Sequence, residues 1–164
     1  MVYLLDASAL ITAHNTYLAL HRVPEFWAWL LHHADAGTVK MPQPIYAEVE
    51  DGRDALADWM KDAATKGSLL SAEAIDANHV QAVMARYGPN LTEADLVTIG
   101  KDPFLVAAAL PNVAERCVVT AEGSRPARTG PRRHVPNICD DCGVQWITPV
   151  QFLTALDFTT GWAA

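Results

Sequence analysis

The sequence predicts an α/β fold: a mainly parallel central sheet flanked by helices on both faces. Three observations predict it. VYLLD near the start and CVVT near residue 120 are apolar on both faces, as strands buried inside a parallel sheet must be. Between and after them run segments with helical period and helix-end residues. Strands that alternate with helices in this way call for parallel pairing with helices covering the sheet. With 164 residues, the chain is long enough to bury a core and reads as a single domain over 1–164.

Taken in order, VYLLD is the first strand and SALITAHNTYLAL a helix beginning near Ser8. Pro24 opens a second helix, EFWAWLLHHADAG, with Gly37 as its stop. TVKM is a short strand. PIYAEVEDGRDALADWMKDAATKG reads as one or two helices, broken at Gly52 and ended at Gly67. SAEAIDANHVQAVMARYG starts on an N-cap serine and ends at Gly88, and LTEADLVTIG is a shorter helix. In DPFLVAAAL, Asp102 reads as the N-cap and Pro103 as the first helical residue. ERCVVTAEG is the second buried strand, and SRPARTGPRRHVPN, rich in Pro, Gly and Arg, reads as a loop. VQWIT and PVQFLTALDF close the chain as a strand and a helix.

Composition narrows the function classes. The N-terminal run breaks at Asp6 and lacks a basic flank, so it does not read as a signal peptide. No stretch nears the roughly 18 apolar residues of a membrane span, so no membrane partner is expected. Three cysteines do not suggest a disulfide framework, and a cytoplasmic location is the default expectation. A net charge of −7 disfavours a general nucleic-acid binder, but it allows a local basic patch or an acidic metal site. Walker, dinucleotide-binding and nucleophile-elbow motifs are all lacking.

Both buried strands stop at an acid, Asp6 and Glu122, at the end where open α/β sheets place their sites. Glu48 in PIYAEVE and Asp102 before DPFLVAAAL have comparable settings. Each acid also has a plainer reading. Asp6 and Asp102 can be helix caps, Glu48 part of a solvated acidic face with Glu50 and Asp51, and Glu122 a turn acid before Gly123. Should the four converge, their repulsion forces some to stay protonated unless a cation relieves it. All-oxygen ligation suits Mg²⁺ or Mn²⁺, and one or two such ions can drive phosphodiester hydrolysis.

The ordered segments YLLDASALI, YAEVE, KDPFLVAAAL and VVTAEG resemble the acid signature of the PIN-domain family. VPEFWAWL and HVPNICDDCGVQWITPVQFL make the chain most similar to a PIN-like subgroup of uncharacterised VapC-like toxin ribonucleases. The resemblance covers essentially the whole chain. It implies a Mg²⁺- or Mn²⁺-dependent endoribonuclease, the toxin of a bacterial type II toxin–antitoxin pair, with RNA as substrate and a cognate antitoxin as partner. Asp6, Glu48, Asp102 and Glu122 match its metal-binding, catalytic acids, and Ser8 and Thr120 its supporting polar positions. The chain departs at Ala7, where many relatives carry Ser or Thr, and at Glu122, where many carry Asp. A non-catalytic PIN-like module that binds RNA or protein is the alternative. A haloacid-dehalogenase-type phosphatase is a second enzyme reading, but it wants Asp-x-Asp and here meets Ser8.

The pair Cys139 and Cys142, with His134 and Cys117 elsewhere, supplies only half of a closely spaced zinc set, and no zinc is expected. Phe26, Trp27, Trp29, Leu30 and Leu31 read as core or as an interface, such as that of a homodimer. His32 and His33 on the same helix read as partly buried rather than as ligands. Arg125, Arg128, Arg132 and Arg133 form a basic loop without an acid, either plainly solvated or a contact for RNA phosphates.

Overall fold

A computed structural model describes residues 1–163. Its elements in chain order are β1 (Val2–Leu5), α1 (Ala7–Asn15), α2 (Pro24–Asp35), β2 (Val39–Lys40), α3 (Gln43–Glu50), α4 (Ala55–Lys61) and α5 (Ala63–Leu69). They continue with α6 (Ala77–Met84), α7 (Glu93–Ile99), α8 (Asp102–Ala109), β3 (Arg116–Val119), α9 (Val135–Cys142), β4 (Gln145–Ile147) and α10 (Pro149–Ala155). The strands form one sheet in the order β2-β1-β3-β4, and every pairing is parallel. The α/β expectation therefore holds. No helix among the described residues is long and apolar enough to cross a membrane.

Strand order and chain order part company at β1. The chain first places β2 on one side of it, then crosses to lay β3 on the other. Such a reversal opens a crevice outside the carboxyl ends of the two strands, because the flanking connections leave in opposite directions. The register pairs Leu4 with Val118 and Leu5 with Val119. Asp6 and Thr120, the next residue on each chain, thus emerge side by side.

Alternation along β1 divides the core. On one face, the Tyr3 ring meets Phe152 of α10 edge-on at 5.3 Å, and Phe152 meets Trp29 of α2 at 5.5 Å. On the other, α8 packs across β1 and β3 with Leu105 and Val106 fully buried. The aromatic run of α2 is core: Trp29 is 1% exposed, and Trp27 is buried with its indole N–H donating to the Leu18 carbonyl at 2.7 Å. Truncating such a ring to alanine costs about 3–5 kcal/mol.

Several local expectations are corrected. Residues 55–69 form two helices because Asp62 breaks the run, accepting hydrogen bonds from the amides of Ala64 and Thr65 as the N-cap of α5. Gly67 then lies inside α5 and does not end it. Asp76, not Ser71, caps α6, whose last turn tightens into a 3-10 turn at Ala85–Tyr87. The segment after His134 is the helix α9, not loop. Pro136 is tolerated in its first turn, and Gly143 ends it at φ +67°. Asp102 is the first residue of α8, and the side chain of Lys101 in the capping position makes no cap bond.

Candidate acidic site at the carboxyl end of the sheet

Asp6 is the anchor. It stands in the N-cap position of α1, yet its side chain makes no capping bond. Instead the hydroxyls of Ser8 and Thr120 both donate to its Oδ2, at 2.5 and 2.6 Å. Each hydroxyl is set by the backbone in turn: the Ala121 amide donates to Ser8 Oγ and the Glu122 amide to Thr120 Oγ1, both at 3.1 Å. Asp6 is 7% exposed and Thr120 fully buried. Two hydroxyl donors on one oxygen hold the plane of the carboxyl group.

The other acids arrive from separate elements. Glu48 comes from the second turn of α3, which packs against both α1 and α8. Asp102 opens α8, and Glu122 follows β3. Their charges act on one another across these elements. The Asp102 carboxyl is pushed up to about 8, first by burial and then by the charges of Asp6, Glu122 and Glu48. Glu48 is also raised, by partial burial and then by Asp6, with Lys101 opposing. Among the described residues no side-chain hydrogen bond offsets those charges at Asp102. A capping role for the side chains of Asp6 and Asp102 is therefore not what the structure displays.

Glu122 differs from the other three. Its Oε2 accepts the Val135 amide at 2.8 Å, so it caps the start of α9 from across the loop. The same loop is laced on by three further bonds. Asn137 accepts from the Arg125 amide and donates to Ser124 Oγ, and His134 Nδ1 bonds the Gly123 carbonyl at 2.8 Å. Asn137, 6% exposed, is a site-supporting residue that sequence reasoning missed.

The arginines divide as well. Arg125, Arg128 and Arg132 are exposed, and Arg128 and Arg132 line a shallow open concavity with Ala127 and Thr129. Arg133 is a strut: it donates to the Arg86 carbonyl, to Asp141 and to the Asn137 carbonyl at 2.8, 2.6 and 3.2 Å. Of the cysteines, Cys139 is fully buried and burial holds its thiol well above the usual range; Cys142 is half-buried.

The donor set at the crevice is all oxygen, which is the chemistry that hard divalent cations take. A cation there would also offset the burial and the neighbouring charges that together raise Asp102. Among the described residues no three His, Cys, Asp or Glu side chains already close around one point that could hold an ion. The carboxylates that fit a cation in kind must thus draw together to bind it.

Comparison with known proteins bears on the whole chain rather than on single residues. No curated protein matches it. The family model described as a domain of unknown function, DUF4411, matches residues 3–160, so the chain belongs to that family.

Proposed function

We propose that the protein is a Mg²⁺- or Mn²⁺-dependent endoribonuclease of the PIN-like kind, the toxin partner of a cognate antitoxin. What supports this reading is that α1, α3 and α8 pack together at the carboxyl end of the sheet, so that burial and then the charges of Asp6, Glu122 and Glu48 raise Asp102. Asp6, Glu48 and Asp102 would hold one or two ions, with Glu122 beside them. The chemistry supplied by such ions, held by these carboxylates, would be activation of a water and stabilisation of the leaving oxygen of a phosphodiester. Ser8 and Thr120 hold the Asp6 carboxylate in one orientation, so that its free oxygen is presented to the ligand. Arg125, Arg128 and Arg132 receive flanking phosphates at the rim, while Arg133 keeps the loop in place.

The test is cleavage of a mixed RNA substrate by the purified chain with Mg²⁺ or Mn²⁺, against the same reaction in chelator and against Asp6→Asn. Metal-dependent cleavage lost in the variant supports the reading. Tight RNA binding with no cleavage in either metal would instead favour a non-catalytic RNA- or protein-binding module. The role of Glu122 in capping α9 is the observation that favours this second reading. Growth arrest on expression, relieved by a neighbouring small reading frame, tests the toxin assignment.

A further inference from the structure

Tyr87 ends the 3-10 turn that follows α6, and its side chain is 2% exposed. Its hydroxyl is buried and has no hydrogen-bond partner among the described residues. A buried donor without an acceptor is costly, and phenylalanine would fill the same space without that cost. The ring is not loosely placed. The α6 helix packs on α8, and the 3-10 turn packs on α9 and on the short turn at Gly130–Arg132. Arg133 grips the carbonyl of Arg86, the residue before it. Gly88 then turns the chain away at φ +117°, a conformation that suits glycine.

Packing of α6 on α8 and of the 3-10 turn on α9 brings the ring to the side of the fold from which Asp102 and the α9 cap Glu122 come. Burial first, then the charges of Asp102 and Glu122, hold the phenol far above its ordinary range, so it stays protonated and can only be a neutral donor or acceptor. Its neighbours Asp102 and Glu122 offer acceptor oxygens. Among the described residues no side-chain hydrogen bond orients Asp102, in contrast to the doubly held Asp6.

We propose that Tyr87 is a positioning residue of the acidic site, its hydroxyl donating to the Asp102 carboxylate when a divalent cation draws that carboxylate into place. This rests on the reading of the crevice as a cation site and assigns Asp102 the partner that Ser8 and Thr120 give Asp6. Outer hydrogen bonds of this kind typically change metal affinity by about 10–100-fold.

The experiment is titration of the purified full chain with Mn²⁺ alone, by calorimetry and by the loss of the free-ion paramagnetic signal. Wild type is compared with Tyr87→Phe, and both are melted without metal. The proposal expects Tyr87→Phe to melt without metal at or above wild type, since an unpaired hydroxyl is removed, while its Mn²⁺ affinity falls about tenfold or more. Unchanged affinity in a folded Tyr87→Phe overturns the assignment and leaves the cation site standing. A variant that fails to fold, or melts well below wild type with normal affinity, also overturns it, by making the hydroxyl structural. Wild type that takes up no Mn²⁺ overturns the cation site and this inference together.

Discussion

Two concave regions of this molecule treat charge in opposite ways. A cavity of about 350 Å³ lies beside β1 and β2 under residues 70–76, lined by Lys40, Glu73 and Arg116 among others. Every one of those charges is engaged. Arg116 donates to Glu73 at 2.7 Å and to the Ala108 carbonyl at 2.6 Å, and Lys40 donates to the Ser68 carbonyl at 2.5 Å. The β1/β3 crevice has far less balance: burial and then the charges of Asp6, Glu122 and Glu48 raise Asp102, and no hydrogen-bond donor among the described residues meets it. A paired charge has already used its electrostatic energy within the fold. An unpaired one keeps it for a ligand, so the crevice rather than the cavity is where chemistry is expected.

Substitutions at the two regions should break or sharpen that contrast. The largest effect is expected from Asp6→Asn and Asp102→Asn, each reducing metal-dependent RNA cleavage to background, as read by gel assay. Arg116→Ala at the cavity should leave cleavage unchanged. Its cost falls on stability instead, by about 1–3 kcal/mol, because a charged hydrogen-bonding group is lost. Equal losses of activity at both regions would erase the distinction.

Next in size is a pH effect. Asp102 keeps its proton in the folded chain up to about 8 but releases it near 3.8 when unfolded. Between those values the unfolded chain binds fewer protons, so metal-free stability must fall as pH rises, and level off above about 8. Thermal melts in chelator should show the decline, with Asp102→Asn flattening it by several degrees. A divalent cation should reverse the trend in wild type only. A flat metal-free profile in wild type would deny the acid repulsion.

A smaller effect is expected at Glu122. Glu122→Ala removes the cap on α9 and should cost about 1 kcal/mol, lowering the melting temperature by roughly 2–4 °C. Cation binding should weaken less than in Asp102→Asn, as calorimetry would show. The smallest effect belongs to the rim. Replacing Arg125, Arg128 and Arg132 together with Ala should flatten the salt dependence of RNA binding, while stability shifts by less than about 0.5 kcal/mol per residue. Arg133→Ala should instead lose about 1–2 kcal/mol, because it ties α9 to the turn before Gly88.

What the sequence by itself determined about this protein is whatever depends on near neighbours along the chain. Runs such as LL in β1 and VV in β3 are apolar on consecutive residues, so both faces must be buried, and the parallel sheet follows. The starts of α7 and α10 are written in Thr92 with Asp95 and Thr148 with Gln151, pairs that satisfy the first-turn amides locally. Asp6, Glu122 and Asp102 were legible because they stop apolar strands or open an apolar helix. Only the tertiary structure decided what surrounds those acids. Asp102 looks like a cap from its Pro103 neighbour, yet packing of α8 on the sheet buries it within reach of the charge of Asp6, which lies 96 positions away. The basic loop looks uniform, yet folding α9 beneath it converts Arg133 into a strut and Glu122 into a cap. Tyr87 gives no local signal at all, because a tyrosine ending an apolar helix reads as core. Its distinction is a hydroxyl without a partner, and hydrogen bonds between distant segments exist only once those segments have met.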